Sequence, residues 1–569
     1  MSEQIVTAKP KRWLAIVGLA ILLAGAFLAQ SIRTADGVTV SDIRFTGAKG
    51  NQMSALLYVP KAASPTAKAP GILAVHGYIN SRETQDGFAI EFARRGYVVL
   101  AIDQRGHGYS DGPAFADGFG GPDALTFLRS LPMVDTAQIG LEGHSMGGWT
   151  VLAAAAAMPD AYTSMVLEGS STGAPFAKEG SPSWPRNLAL VFSKYDEFSQ
   201  IMWGVDRAID VNSSAKLQSV FDTKARVAEG KIYGQIADGT ARVLYQPATT
   251  HPGDHISPAA IGHATDWFAE TLKGGTPKPA SDQIWHWKEF GTGIGLIGFV
   301  MILLGTFDIL VRLPFFVSVQ APAVPALMAR DGRYWRGFAL NTALPALLFF
   351  PTFIFAYVLL TPSMLLPQAV TTQITLWALV GAGASLLIAR FKGGVSTGQQ
   401  SDWLRSGVIA FATVAIGYVA LLLIDRIFHT DVRFWVVAVK LPNISQLGIA
   451  AIYVVPLTFA FLVMLRTLCA MAVQGDSTLK RYGSAVLTLT TGFIVLLGVI
   501  YGIFFVTGTL ITAFDPLSTV IALQFVPVLA AIAIIGMFTW ARTGSHRTGG
   551  LILGILVTLY AVAGTATQV

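Results

Sequence analysis

The chain has 569 residues, of which 53% are hydrophobic and only 13% charged, with a mean hydropathy of +0.54. It is too long for one ordinary domain and carries about half the charged fraction of a soluble protein, so much of it belongs in a bilayer. A single cysteine, Cys469, excludes an intramolecular disulfide and a cysteine-rich metal site. The net charge of +6 reads as membrane topology rather than a nucleic-acid surface, because the excess sits in short loops between apolar runs.

The first twelve residues are polar and include Lys9, Lys11 and Arg12. Residues 13–32 are mostly apolar, long enough to cross a hydrocarbon core of about 30 Å. The run exceeds the core of a signal peptide and no small-residue cleavage site follows it. It therefore reads as an uncleaved anchor with its N-terminus inside.

Residues 34–282 differ in kind. Short apolar strands are expected at 41–45, 53–59, 71–75, 97–102, 138–141, 164–167, 188–192 and 242–246. Helical patterns fall at 84–95, 122–131, 149–158 and 258–272. Strands alternating with helices predict a mainly parallel sheet covered on both faces.

From residue 284 onward the chain is a series of apolar spans, placed at about 292–313, 337–360, 370–390, 407–427, 447–466, 484–508, 518–540 and 549–566. The expected organisation is an anchor over 1–33, an α/β domain over 34–283 and a polytopic all-α domain of about eight transmembrane helices over 284–569. With the N-terminus inside, alternate loops should be basic, and they are. They carry Arg312, Arg330, Arg333 and Arg336; Arg390, Lys392 and Arg405; Arg466, Lys480 and Arg481; Arg542 and Arg547. The loops at 361–369 and 509–517 hold no Lys or Arg, and only 425–440 mixes both signs. This pattern predicts an extracytoplasmic α/β domain in the cell (inner) membrane. Trp285 and Trp287 are expected at the interface where that domain meets the lipid.

Within the α/β domain, residues 138–149 read QIGLEGHSMGGW: a strand, a sharp turn and an Ala-rich helix. Gly143-His144-Ser145-Met146-Gly147 has the G-x-S-x-G spacing of a nucleophile elbow, which holds a serine Oγ clear of the backbone at a strained bend. A serine hydroxyl needs a base within hydrogen-bond reach, and the base needs an orienting acid. In this architecture the order is Ser, acid, His. His76, His107 and His144 precede Ser145, and His286, His429 and His546 fall at or beyond the membrane boundary. His263 lies within the last helix pattern and reads as structural. His255, in the loop before that helix, is the expected base, with His251 the runner-up. Asp196, after the strand at 188–192, is the expected acid, with Glu197 and Glu168 as alternatives. The oxyanion donors are expected to be the amides of Met146 and of Tyr78, in His76-Gly77-Tyr78 after the strand at 71–75.

Together VHGY, DQRGHGYS, GHSMGG and the late DHISP resemble the α/β-hydrolase superfamily, in its serine aminopeptidase-like and dienelactone-hydrolase-like branches. The resemblance covers about 40–273 and none of the apolar spans. It implies a Ser145–His255–Asp196 triad; with no nucleotide or zinc motif in the chain, no cofactor and no metal are expected. It also implies that Asp103, Arg105, Gly106 and Gly108 are structural. The stretch 169–187 is short for a cap, and 198–239 is long. Ile201, Met202, Trp203 and Val205 suit either a lid or the core.

The expected activity is serine hydrolysis of small-molecule or lipid esters beside membrane lipids. Peptide or amide cleavage and acyl transfer on the same triad are the alternatives. A transporter or sensor with a hydrolase-like binding domain is the reading from another class. No phosphate-binding loop, dinucleotide fingerprint or H-E-x-x-H motif is present. Asp308, inside a span, is expected to pair locally with Arg312. Pro345, Pro351, Pro456 and Pro527 fall in spans, where they mark either kinks or broken helices.

Overall fold

The computed structural model describes residues 12–321, 323, 329–391 and 402–569, so Lys9, Lys11 and Lys392 of the topology argument lie outside the described residues. The chain divides into two compact units. One holds residues 27–291, 500–516 and 564–569; the other holds the residues up to Ala26, Thr292–Val499 and Leu517–Ala563. The first unit thus takes in two C-terminal segments that lie outside the 34–283 boundary drawn from sequence.

That unit is built on one sheet. Its strands are β1 (Thr39–Thr46), β2 (Gln52–Val59), β3 (Ala69–Val75), β4 (Val98–Asp103), β5 (Val134–His144), β6 (Ser164–Glu168), β7 (Leu188–Val191) and β8 (Arg242–Tyr245). Their order is β1-β2-β4-β3-β5-β6-β7-β8. β1 and β2 are antiparallel, as are β2 and β4, and every later pairing is parallel. β3, β4 and β7 are buried throughout, as their unbroken apolar sequences require of strands covered on both faces.

Alternation along β3 separates two cores. Leu73 and Val75 pack with Leu125 and Leu128 of a helix at Gly121–Ser130 and with Val151 and Leu152 of a helix at Met146–Ala157. Ile72 and Ala74 pack with Phe88 and Phe92 of the helix Asp86–Arg94 and with Ile261, Trp267 and Phe268 of the helix Pro258–Thr271. Strands and helices expected over 34–283 are all present. β5 is longer than expected because the polar Asp135 and Thr136 disguise its start. Between β7 and β8 the chain makes only short helices, Ser199–Trp203 and Ala215–Val220. Met202 and Trp203 enter the core while Ile201 faces outward, so core packing accounts for most of the stretch read as a possible lid.

Arg33, at the end of the helix Arg12–Arg33, donates to Asp86 through Nε at 3.0 Å, and Lys288 Nζ lies 2.8 Å from the same carboxylate. Tyr58 Oη also donates to it, and all four side chains are buried. Trp285 departs from the interfacial expectation. It is buried against the helix that carries Asp86, because the chain enters its long helix only after finishing the α/β core, whereas Trp287 stays exposed.

The second unit is helical. Nine helices among the described residues are long and apolar enough to cross a membrane. They are Arg12–Arg33, Trp285–Leu310, Gly332–Leu359, Ala369–Arg390, Trp403–Phe428, Ile444–Ala470, Thr478–Thr507, Pro516–Thr543 and His546–Gly564. Even the shortest, at 19 residues, is about 28 Å long. Pro345, Pro351, Pro456 and Pro527 lie inside continuous helices. Asp308 pairs with Arg312 as expected (3.4 Å), and also with Arg542 of a helix far along the chain.

Candidate active site

Ser145 sits between β5 and the helix Met146–Ala157 with φ 56° and ψ −121°, a strained conformation for a non-glycine residue. This is the elbow that the sequence spacing predicts. Its N–H donates to Glu168 O (2.8 Å), which ties the nucleophile turn to the end of β6. A Cβ at Gly147 would lie 2.1 Å from Val75 O, so only glycine lets the helix begin this close to β3. The side chain of Ser145 is partly exposed.

Asp196, the expected acid, follows β7. Both oxygens of Asp196 are engaged: Oδ1 accepts from Phe198 N–H (2.8 Å), and Oδ2 lies 2.8 Å from His251 Nδ1. Asp196 therefore meets His251, the sequence runner-up, and not His255. The turn decides it. Pro252–Ile256 forms a 3-10 helix that leaves His251 at its start, facing Asp196. It places the ring of His255 against that of His144, with centroids 4.0 Å apart. His255 O then lies 3.1 Å from the position a Cβ at Gly87 would take, on the helix Asp86–Arg94. Gly169 completes the pairing. It has φ +50°, and a Cβ there would sit 2.8 Å from His251 Nδ1 and 3.1 Å from Asp196 Oδ2.

The surrounding groups hold this pair. His144 Nε2–H donates to His251 O at 2.9 Å, and Glu197 Oε2 accepts from His251 N–H at 2.8 Å. Glu197 is thus a backbone holder, not the acid facing the imidazole. Glu168 contributes its carbonyl to Ser145. His263 stacks on Tyr245, with centroids 4.1 Å apart, as a structural histidine. Asp103, assigned to structure, accepts from Ser54 Oγ (2.9 Å) and from the N–H groups of Arg82 and Tyr109.

Burial controls the charge states. It pushes His251 down to about 3, so the imidazole rests neutral and able to accept a proton. Burial raises Asp196, opposed by the Phe198 N–H. Burial, with Asp196 beside it, pushes Glu197 up to about 8.

Next to Ser145, a Cβ at Gly77 would lie 3.2 Å from Ser145 Cβ, so Tyr78 begins one residue from the nucleophile. Met146 is the first residue of its helix, where the N–H has no partner inside the helix. From Tyr78 a line of aromatic rings runs through two exposed phenylalanines to the buried Trp149. Phe115 lies 5.7 Å from Tyr78, Phe176 lies 5.8 Å from Phe115, and Trp149 lies 4.9 Å from Phe176. Phe115 is 37% exposed and Phe176 49%. The segment 564–569 lies against the same region. Thr567 N donates to Gly106 O (2.8 Å), Ala114 N donates to Thr567 O (2.7 Å), and Gln568 Nε2 donates to Tyr78 Oη (3.4 Å). Neither this segment nor 500–516 carries a local sequence signal of belonging to the sheet.

Residues 67–230 match the family described as serine aminopeptidase, S33. Among curated proteins, a thiohydrolase (aneE) of Aspergillus aculeatus is 32% identical over 127 residues, 21% of this chain and 37% of that protein. A monoacylglycerol lipase of Mycolicibacterium smegmatis is 32% identical, covering 18% of this chain and 38% of that protein. A mitochondrial palmitoyl-protein thioesterase of Homo sapiens is 34% identical, covering 17% and 33%. The chain thus spans little more than a third of the length of the curated relatives it matches. The sheet-bearing unit has the α/β-hydrolase fold, and its residues 67–230 are similar to the serine aminopeptidase family. Its chain also carries long apolar helices of a membrane protein.

Proposed function

We propose that the protein is a membrane-bound serine hydrolase that cleaves carboxylic esters of apolar acyl groups through an acyl-enzyme on Ser145. The observation that carries the reading is the buried His251–Asp196 pair at the strand ends beside a strained Ser145. Ser145 Oγ attacks the acyl carbon and its proton passes to His251 Nε2. Asp196 holds Nδ1–H and stabilises the imidazolium that forms. The amides of Met146 and Tyr78 receive the oxyanion. The leaving alcohol takes the proton from His251, and water, activated by the same imidazole, releases the acid. Residues 27–291 carry all of these groups.

Esters and thioesters come before peptides for two reasons. The named relatives are a lipase, a thiohydrolase and a palmitoyl-protein thioesterase. The aromatic line from Tyr78 through the exposed Phe115 and Phe176 to the buried Trp149 also suits an apolar acyl chain. The alternation of basic and uncharged loops supports an extracytoplasmic site in the cell (inner) membrane.

The test is labelling of intact cells with a membrane-impermeant fluorophosphonate, followed by turnover of p-nitrophenyl acyl esters and aminoacyl amides. Labelling of wild type and not of Ser145→Ala, with ester turnover exceeding amide turnover, is expected. Labelling only after permeabilisation would reverse the orientation, and amide preference would reverse the substrate class.

A further inference from the structure

Two carboxylates stand side by side after β7, and only Asp196 faces the imidazole of His251. Glu197 turns the other way. Its Oε2 accepts from the backbone N–H of His251 at 2.8 Å, and its Oε1 accepts from Tyr501 Oη, also at 2.8 Å. Tyr501 lies 304 positions further along the chain, in the 500–516 segment that belongs to the sheet-bearing unit. Other contacts seat that segment on the acid loop. The ring of Tyr195 meets Phe505 edge-on at 5.1 Å and Phe504 at 6.1 Å. Arg207 and Thr509 form an antiparallel bridge. Glu197 is buried, so its hydrogen bonds do not compete with solvent.

We infer that Tyr501 and Glu197 are a positioning pair for the base: the tyrosine hydroxyl fixes the Glu197 carboxyl, which fixes the peptide of His251 while Asp196 fixes its ring. The inference rests on the assignment of His251 as base. Neither group reaches the acyl carbon; both act through the direction in which His251 Nε2 points. A base displaced by about 1 Å loses on the order of a hundredfold in rate. The titratable groups facing Glu197 are Asp196, Asp254, His251 and Tyr501. Ionisation of Glu197 adds a second negative charge near the imidazolium formed during acylation, so kcat/KM rises as pH passes through about 8.

The test compares full-length wild type, Tyr501→Phe, Glu197→Gln and Glu197→Ala in detergent. Fluorophosphonate labelling rates, kcat and KM on a p-nitrophenyl ester, and thermal midpoints are measured from pH 6 to 9. Tyr501→Phe keeps the ring packing and loses the hydroxyl. It should lower kcat and the labelling rate about tenfold, the worth of one ordinary hydrogen bond, with KM unchanged. Glu197→Gln keeps an acceptor for His251 N–H, so it should lose less than Glu197→Ala and should abolish the rise near pH 8. A wild type that takes no label overturns the hydrolase reading itself. A wild type that labels, with Tyr501→Phe labelling at the same rate, overturns the pair alone. So does a loss that tracks the thermal midpoint equally at every pH.

Discussion

Asp196 Oδ2 lies 2.8 Å from His251 Nδ1, and Asp196 Oδ1 accepts from Phe198 N–H at 2.8 Å, so the carboxylate is held in place facing His251. His251→Ala should therefore lower kcat for ester hydrolysis by on the order of 10⁴ or more. His255→Ala should keep kcat within about tenfold, since the Asp196 carboxylate pairs with His251. Steady-state kinetics on the two variants decides between the histidines.

Burial of the imidazole has a pH signature. The ordinary value of 6.5 falls to about 3 in the folded protein. The active, neutral form exists above the folded value, so the acid limb of kcat/KM should lie well below pH 6.5. Stability moves oppositely to protection. Between 6.5 and 3 the unfolded chain binds a proton that native His251 refuses, so the group destabilises the fold progressively as pH falls. A kcat/KM profile that halves near 6.5 would contradict the burial.

Gly169→Ala probes the pair without touching a functional group. A Cβ there would lie 2.8 Å from His251 Nδ1, at a backbone φ of +50°. The expected outcome is a loss of about a hundredfold in kcat as the pair is pushed apart. The thermal midpoint should fall only modestly, by the cost of αL strain, about 1 kcal/mol.

Asp86 is the buried anchor for two cations, Arg33 and Lys288. Burial alone would raise its carboxyl, but the two cations and Tyr58 outweigh burial and lower it. Its contribution is thus present above the ordinary value of 3.8 and lost as pH falls through the folded one. Asp86→Asn leaves two buried cations short of charge and should cost about 3–5 kcal/mol, measured as the shift in denaturation midpoint in detergent.

The aromatic line predicts chain-length selectivity. Phe115→Ala and Phe176→Ala should raise KM for octanoyl esters about tenfold and leave acetyl esters nearly unchanged, since only the longer chain reaches the exposed rings. Equal effects on both esters would place the acyl chain elsewhere.

Much of this was legible along the chain. Apolar runs bounded by glycine and proline marked the strands, period and length marked the long helices, and the glycines around Ser145 marked the elbow. These signals are local: each depends on residues within a few positions of one another. Ser145 and Asp196 follow from them because each lies just past the end of a strand that the pattern reveals.

The choice between His251 and His255 was not local. Both lie in one short loop, and only the 3-10 turn at Pro252–Ile256, set by packing against neighbouring helices, turns His251 toward Asp196. The same holds for Trp285, whose burial depends on a helix nearly two hundred residues earlier, and for Asp308, which gains Arg542 besides its local Arg312. Tyr501 on Glu197 and Gln568 on Tyr78 are further cases. Periodicity and turn chemistry are short-range, so the chain alone reveals the elements, the elbow and the strand end that carries Asp196. Which histidine faces Asp196, and which distant segments join the sheet-bearing unit, emerge only in three dimensions, because hydrogen bonds between residues 55 to 490 positions apart leave no periodic trace in the chain.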